Sequence, residues 1–313
     1  MTRRVSAIAV VVAIAVASFA LAKGAGAQHR RSLVTETYDE DTLKRAFEAA
    51  ESGNYEPLGA LPEPSAADIP AIEPALSDES EVVRREAVAL LARIGDPAAA
   101  PALAGALSDV SDDVATRAAA ALYDLGGVAV EADPAVENQI RQAVDSGLVA
   151  GGAILMLAHS RDKSASAATL HGVREAKGGS LTEVFPSSPV VHVSLMADVA
   201  LAGLGDGGAE AQLLASIGKA DLVTLQFLLS VLREIDSPQI VRALATATLS
   251  DDRPVQGDAP SGAETGLRLA DLAATRLARR YDLAVDIDDT ADARLPDQTL
   301  DAVKTELERK LSE

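Results

Sequence analysis

Apolar positions along residues 70–126 fall into two registers that superimpose with a constant offset of 31 and no gap. Val83, Ala87, Leu91 and Ile94 step by 4, 4 and 3, and Val114, Ala118, Leu122 and Leu125 repeat those steps. This spacing lines one face of a 3.6-period helix. Pro70 falls on Pro101, Leu76 on Leu107, Ser77-Asp78 on Ser108-Asp109, and Gly95 on Gly126. The pattern predicts a short helix over about 70–76, a longer one over about 80–94, and a second such pair one period later. A fixed period between about 20 and 50 residues marks stacked supersecondary units. Gly95 and Gly126 stand where a helix ends in the left-handed conformation. Asp96-Pro97 then sets a cap residue before a proline at the first helical position, and Asp133-Pro134, Ser188-Pro189 and Ser237-Pro238 repeat that start.

Elsewhere the pattern is looser but still helical. Leu43, Ala46, Phe47 and Ala50 share a face after Asp41, and Gly53-Asn54 ends that helix. Pro57, Pro62, Pro64 and Pro70 mark a linker. Further helices are predicted near 135–145, 148–159, 164–176, 189–203, 208–218, 221–235, 237–249 and 262–281, with a long loop over 250–262. Leu300, Val303, Leu307 and Leu311 give a last helix, about 297–311, a single apolar stripe suited to closing the stack. The organisation read this way is 28–65 (N-terminal helix and proline-rich linker), 66–283 (repeat array) and 284–313 (acidic turn and capping helix), after a leader at 1–27.

The leader changes the setting. Arg3-Arg4 form a positive start, Val5 to Ala22 an uncharged Ala/Val-rich run, and Ala25-Gly26-Ala27 a small-residue cleavage signal. This predicts a secretory signal peptide cut before Gln28, an exported protein in the periplasm or outside the cell, and no membrane span after cleavage. An uncleaved anchor is the alternative. The formal charge is −19; residues 1–27 carry three bases and no acid, which leaves 25 bases against 47 acids, or −22, in the mature chain. Such a surface repels phosphate backbones and excludes nucleic acid as a partner. The chain has no cysteine, which excludes a disulfide framework or a lipid-bearing cysteine.

Leu76-Ser77-Asp78, Val83-Arg84, Ala87, Leu91 and Ile94-Gly95-Asp96 together resemble a HEAT repeat, in a bacterial form similar to the repeats of phycocyanobilin lyases. The resemblance is fullest over 66–126, extends in part over 206–281, and implies an all-α, right-handed α-solenoid of stacked antiparallel helix pairs, HEAT/armadillo-like. It also implies that an Asp in the turn and an Arg after the valine brace one unit against the next. Asp78 and Asp109 match that Asp; Arg84 matches the Arg, while Ala115 stands at the second position with Arg117 two residues on.

Four motifs carry possible chemistry, each with a plainer reading. Gly203-Leu-Gly205-Asp-Gly207-Gly208 fits G-x-G-x-x-G, but the preceding 195–202 reads as helix where a dinucleotide site needs a strand. Ser160-Arg-Asp-Lys163 fits S-x-x-K without the partner K-T-G. Asp286-Ile-Asp288-Asp289 opens like a calcium loop, yet Ala291 replaces the required Gly and Asp297 the closing Glu. His29, His159, His171 and His192 lack metal-ligand spacing. No cofactor or catalytic residue is expected. Arg84, Arg85 and Arg117 form the one basic cluster in the clear repeats, either receiving a partner's carboxylate or pairing internally with Asp78, Glu86 or Asp109. The resulting expectation is a non-catalytic scaffold that binds a protein or peptide in the cell envelope. The alternative is an accessory subunit or lyase-like enzyme on the same repeat fold.

Overall fold

The structure is a computed structural model that describes residues 37–185, 188–255, 267–287 and 294–313. The signal-peptide reading, most of the 250–262 loop and the centre of the calcium-like loop lie outside the described residues. The described chain is helical almost throughout, and its helices form two rows. The first clear pair is a 3-10/α run containing α3 (Ile69–Ile72) and then α4 (Glu81–Ile94), preceded by α1 (Glu40–Glu51) and the short α2 (Glu56–Gly59). The second pair is α5 (Ala100–Gly105), flanked by 3-10 turns, and α6 (Asp112–Leu125). Helices α4 and α6 begin and end 31 residues apart, as the period requires.

The elements follow from local chemistry. Asp39 caps α1 by accepting from the Thr42 N–H, and α1 buries Leu43, Ala46, Phe47 and Ala50. The first-row helices of the first two pairs are short because proline recurs in them: Pro70, Pro74, Pro97 and Pro101 supply no N–H, and the backbone breaks into 3-10 turns. Gly95 closes α4 in the left-handed region (φ 61°, ψ 20°). Gly126 differs from that expectation: its φ is 76° but its ψ is −177°, which sends the chain directly into α7 (Val128–Ala132).

Pairs three to six follow: α8 (Pro134–Asp145) with α9 (Gly151–Met156) and its 3-10 end at Leu157–His159; α10 (Lys163–Lys177) with α11 (Val193–Gly203); α12 (Gly207–Ile217) with α13 (Leu222–Ser230) and the turn Leu232–Glu234; α14 (Pro238–Thr248) with α15 (Leu269–Tyr281). Helix α16 (Asp297–Lys310) lies on α15. In the second row α4 packs on α6, α6 on α9, α9 on α11, α11 on the 232–234 turn, and α13 on α15. In the first row α5 packs on α8 and α8 on α10, while α12 packs on α14. Leu91, Leu103, Leu122, Ile140, Ile154 and Leu155 are fully buried between the rows. Gly152 lets α9 meet α6 backbone to backbone, since a Cβ there would lie 2.4 Å from the Ala119 carbonyl oxygen.

Two predicted helix starts need correction: the helix expected near 262–281 begins only at Leu269, because Arg268 is extended, and the helix expected near 189–203 is late as well. Helix 189–203 starts only at Val193, because residues 191–192 form strand β2 (Val191–His192), antiparallel to β1 (Leu181–Thr182). Ser188 does not cap a helix; its hydroxyl accepts from the Val184 and Phe185 N–H groups and closes a turn between the strands. Among the described residues no helix is long and apolar enough to cross a membrane.

Candidate partner-binding site

The three arginines singled out by sequence do not act as one group. Arg84 is 8% exposed and crosses from the first pair to the second. Its Nε and Nη2 donate to the two Asp109 carboxylate oxygens at 2.7 and 3.0 Å, and its Nη1 donates to the Asp78 and Glu79 carbonyls at 2.9 and 3.1 Å. A planar fork suits a carboxylate in this two-point way. Burial pushes the Asp109 carboxyl up, but the Arg84 hydrogen bonds and charge and the Ser111 N–H outweigh it and hold it below the usual carboxylate range. Asp78 contributes its carbonyl to Arg84, while its carboxylate accepts from the Ser80 N–H. Arg85 pairs with Glu86 and donates to the Tyr55 hydroxyl, and Arg117 pairs with Asp113 one helical turn away. Both keep part of their side chains at the surface.

Sequence reasoning missed a second cluster, where the ends of second-row helices meet. Tyr123 and Asp124 come from the end of α6, His159 from the end of α9's 3-10 turn, and Arg233 and Glu234 from the turn after α13. The Arg233 guanidinium lies 3.7 Å from the centre of the Tyr123 ring and donates to the Tyr123 carbonyl. Its Nε donates to Glu234 at 2.8 Å. The other Glu234 oxygen is 2.6 Å from His159 Nε2, and the Glu234 side chain is wholly buried. The Phe185 ring packs against Tyr123 at 5.6 Å.

The electrostatics are those of an enclosed network. Burial pushes the Glu234 carboxyl up, yet the hydrogen bonds and charges of His159 and Arg233 prevail and hold it below its ordinary range. Burial, with the Glu234 charge, drives the Tyr123 phenol far above its usual value. Burial also raises Asp124, against the pull of Arg233. Two glycines make room. A Cβ on Gly127 would lie 2.6 Å from His159 Nδ1, and one on Gly203 would lie 3.1 Å from the Ala158 Cβ and 3.3 Å from the Glu234 carbonyl. Gly203 opens the G-x-G-x-x-G stretch, which runs from helix α11 into helix α12. Close packing accounts for that glycine, and Gly205, at φ 93°, turns the chain.

A third set lines an open depression beside the strands: His171, Arg174, Glu175, Gly178, Gly179, His192 and Ser194. His171 meets Asp206, the α12 cap, at 3.0 Å, and Arg174 meets the largely buried Asp198 at 2.8 Å. Ser160 and Lys163 do not form a serine/lysine pair. The Ser160 hydroxyl donates to buried Glu137, which also accepts the Arg161 and Asp162 N–H groups and so fastens the turn before α10. Among the described residues no group of three or more His, Asp or Glu is placed to hold a metal ion.

Residues 43–123 match the family model of HEAT repeats. The chain carries HEAT repeats. The solved complex of CpcE and CpcF of phycocyanin lyase from Nostoc sp. PCC7120 is similar over 90% of this chain and 99% of the matched chain, with a TM-score of 0.52 and 16% identity. At that identity the likeness establishes the fold alone: an all-α stack of HEAT-like helix pairs. Among curated proteins none matches.

Proposed function

We propose that this HEAT-repeat protein is an exported, non-catalytic scaffold that binds a protein or peptide partner in the cell envelope. The observation that carries the reading is the form of the described surface. Two helix rows offer long continuous faces with shallow, open depressions, such as the one lined by His171, Arg174, Glu175 and His192. Faces of that kind suit another chain, whereas small reactants are usually held in enclosed clefts. The leader at 1–27 supports export. The matched structure is a complex of two proteins, which agrees with a partner-binding role.

Crosslinking in intact cells, followed by mass spectrometry, tests this. One envelope protein should crosslink reproducibly to labels beside His171 and His192, and the exported chain should begin at Gln28. Retention in the cytoplasm, or crosslinks spread over unrelated proteins, would overturn it. The likeness to a lyase complex favours a second reading, an accessory subunit or lyase-like enzyme.

A further inference from the structure

In a stack of repeats each unit normally touches only its neighbours. Two consecutive residues here break that rule. Arg233 of the fifth pair reaches Tyr123 of the second, 110 residues away, and Glu234 meets His159 of the third. The two contacts differ in exposure. The Glu234 side chain is wholly buried, whereas 41% of Arg233 is open to solvent. The closeness is built in by Gly127 and Gly203, whose missing side chains admit the His159 ring and the Glu234 backbone. Charged groups facing Arg233 are Glu234 on its own turn and Asp124 on α6.

We propose that Arg233 is a releasable latch: it closes the second row by holding the end of α6 to the turn after α13, and letting go of Tyr123 opens the row there while the helices stay intact. Glu234, wholly buried, and His159, 29% exposed, form the hinge side, which is retained. Arg233 is the latch side: its partners, the Tyr123 ring and carbonyl and the Glu234 carboxylate, are buried, but 41% of its own side chain faces solvent. An anionic segment of a partner would meet this guanidinium before any buried part of the network.

The chain has no cysteine, so spin labels at exposed Val128→Cys and Lys219→Cys are unique. Pulsed dipolar distances between them, with helix content from circular dichroism, read the latch directly. Arg233→Gln should lengthen or broaden the distance distribution at unchanged helix content. Arg84→Gln, which weakens a brace between neighbouring pairs, should leave the distribution as in the wild type. If Arg233→Gln does not fold, Arg233→Lys, which keeps the charge but loses the planar fork, decides by the same readings. A wild-type distribution in the deciding Arg233 variant overturns the proposal. So does a lengthening that appears only together with lost helix.

Discussion

Arg84 and Arg233 both pair with a carboxylate and a backbone carbonyl, but they join the chain over very different spans. Arg84 reaches 25 residues, from α4 to the turn of the next pair, which is less than one 31-residue period. Arg233 reaches 110 residues, past two intervening pairs, to the end of α6. The first contact joins neighbouring pairs. The second depends on where several pairs have already placed their ends. A solenoid held only by the first kind is a chain of independent joints; the second kind couples joints that are not neighbours.

The comparison can be sharpened by removing its parts. The largest effect is expected from the shared core. Leu122→Ala leaves a cavity between α6 and its neighbours and should lower stability by about 2–5 kcal/mol in denaturant melts. Leu91→Ala should fall in the same range. A change within error for both would refute the assigned faces.

Arg84→Met comes next, at about 3 kcal/mol, because it strands a mostly buried Asp109 carboxylate. Its dependence on pH has a definite sign. The folded Asp109 titrates below an unfolded aspartate, so the pair contributes fully above about pH 4 and is lost as pH falls through the lowered folded value. In the variant the stranded carboxyl is relieved by protonation. The gap between variant and wild type should therefore shrink on acidification in paired thermal melts. A gap that widens would contradict the pairing.

Gly152→Ala tests the close approach of α9 and α6, where the added Cβ meets a rigid carbonyl at 2.4 Å. A loss of about 1–3 kcal/mol is expected from overpacking. A more stable variant would mean that the two backbones part easily. The smallest effect belongs to Arg117→Ala. Its pair with Asp113 is 31% and 46% exposed, so at most about 0.5 kcal/mol is expected. A large loss there would show that Arg117 does more than cap its own helix turn.

How much was legible in the sequence follows the same division. The 31-residue period placed α4 and α6 to within one residue, because apolar spacing and terminal glycines agree there. The brace from Arg84 to Asp109 followed from the resemblance to HEAT repeats, and the structure supplies its two-point geometry. Asp78 matched the same motif position, but its carboxylate closes a local turn. The strand pair was hidden because Ser188-Pro189 carries the signature of a helix start, while Val190 and Val191 favour extended backbone. The Tyr123 cluster had no periodic signal at all. Tyr123 replaces Ala92 of the first repeat, and a lone aromatic in a chain with 3% aromatic residues was the one available clue. Nothing local states that Arg233 would lie above it.

Native-state hydrogen exchange tests the central claim, that second-row pairs which are not neighbours are coupled through Arg233 and Glu234. The ends of α6 and α9 and the 222–234 segment should open together as one cooperative unit in the wild type, and Arg233→Gln should split α6 from 222–234. If instead each pair opens on its own, in order along the chain, and the variant leaves that order unchanged, the coupling does not exist.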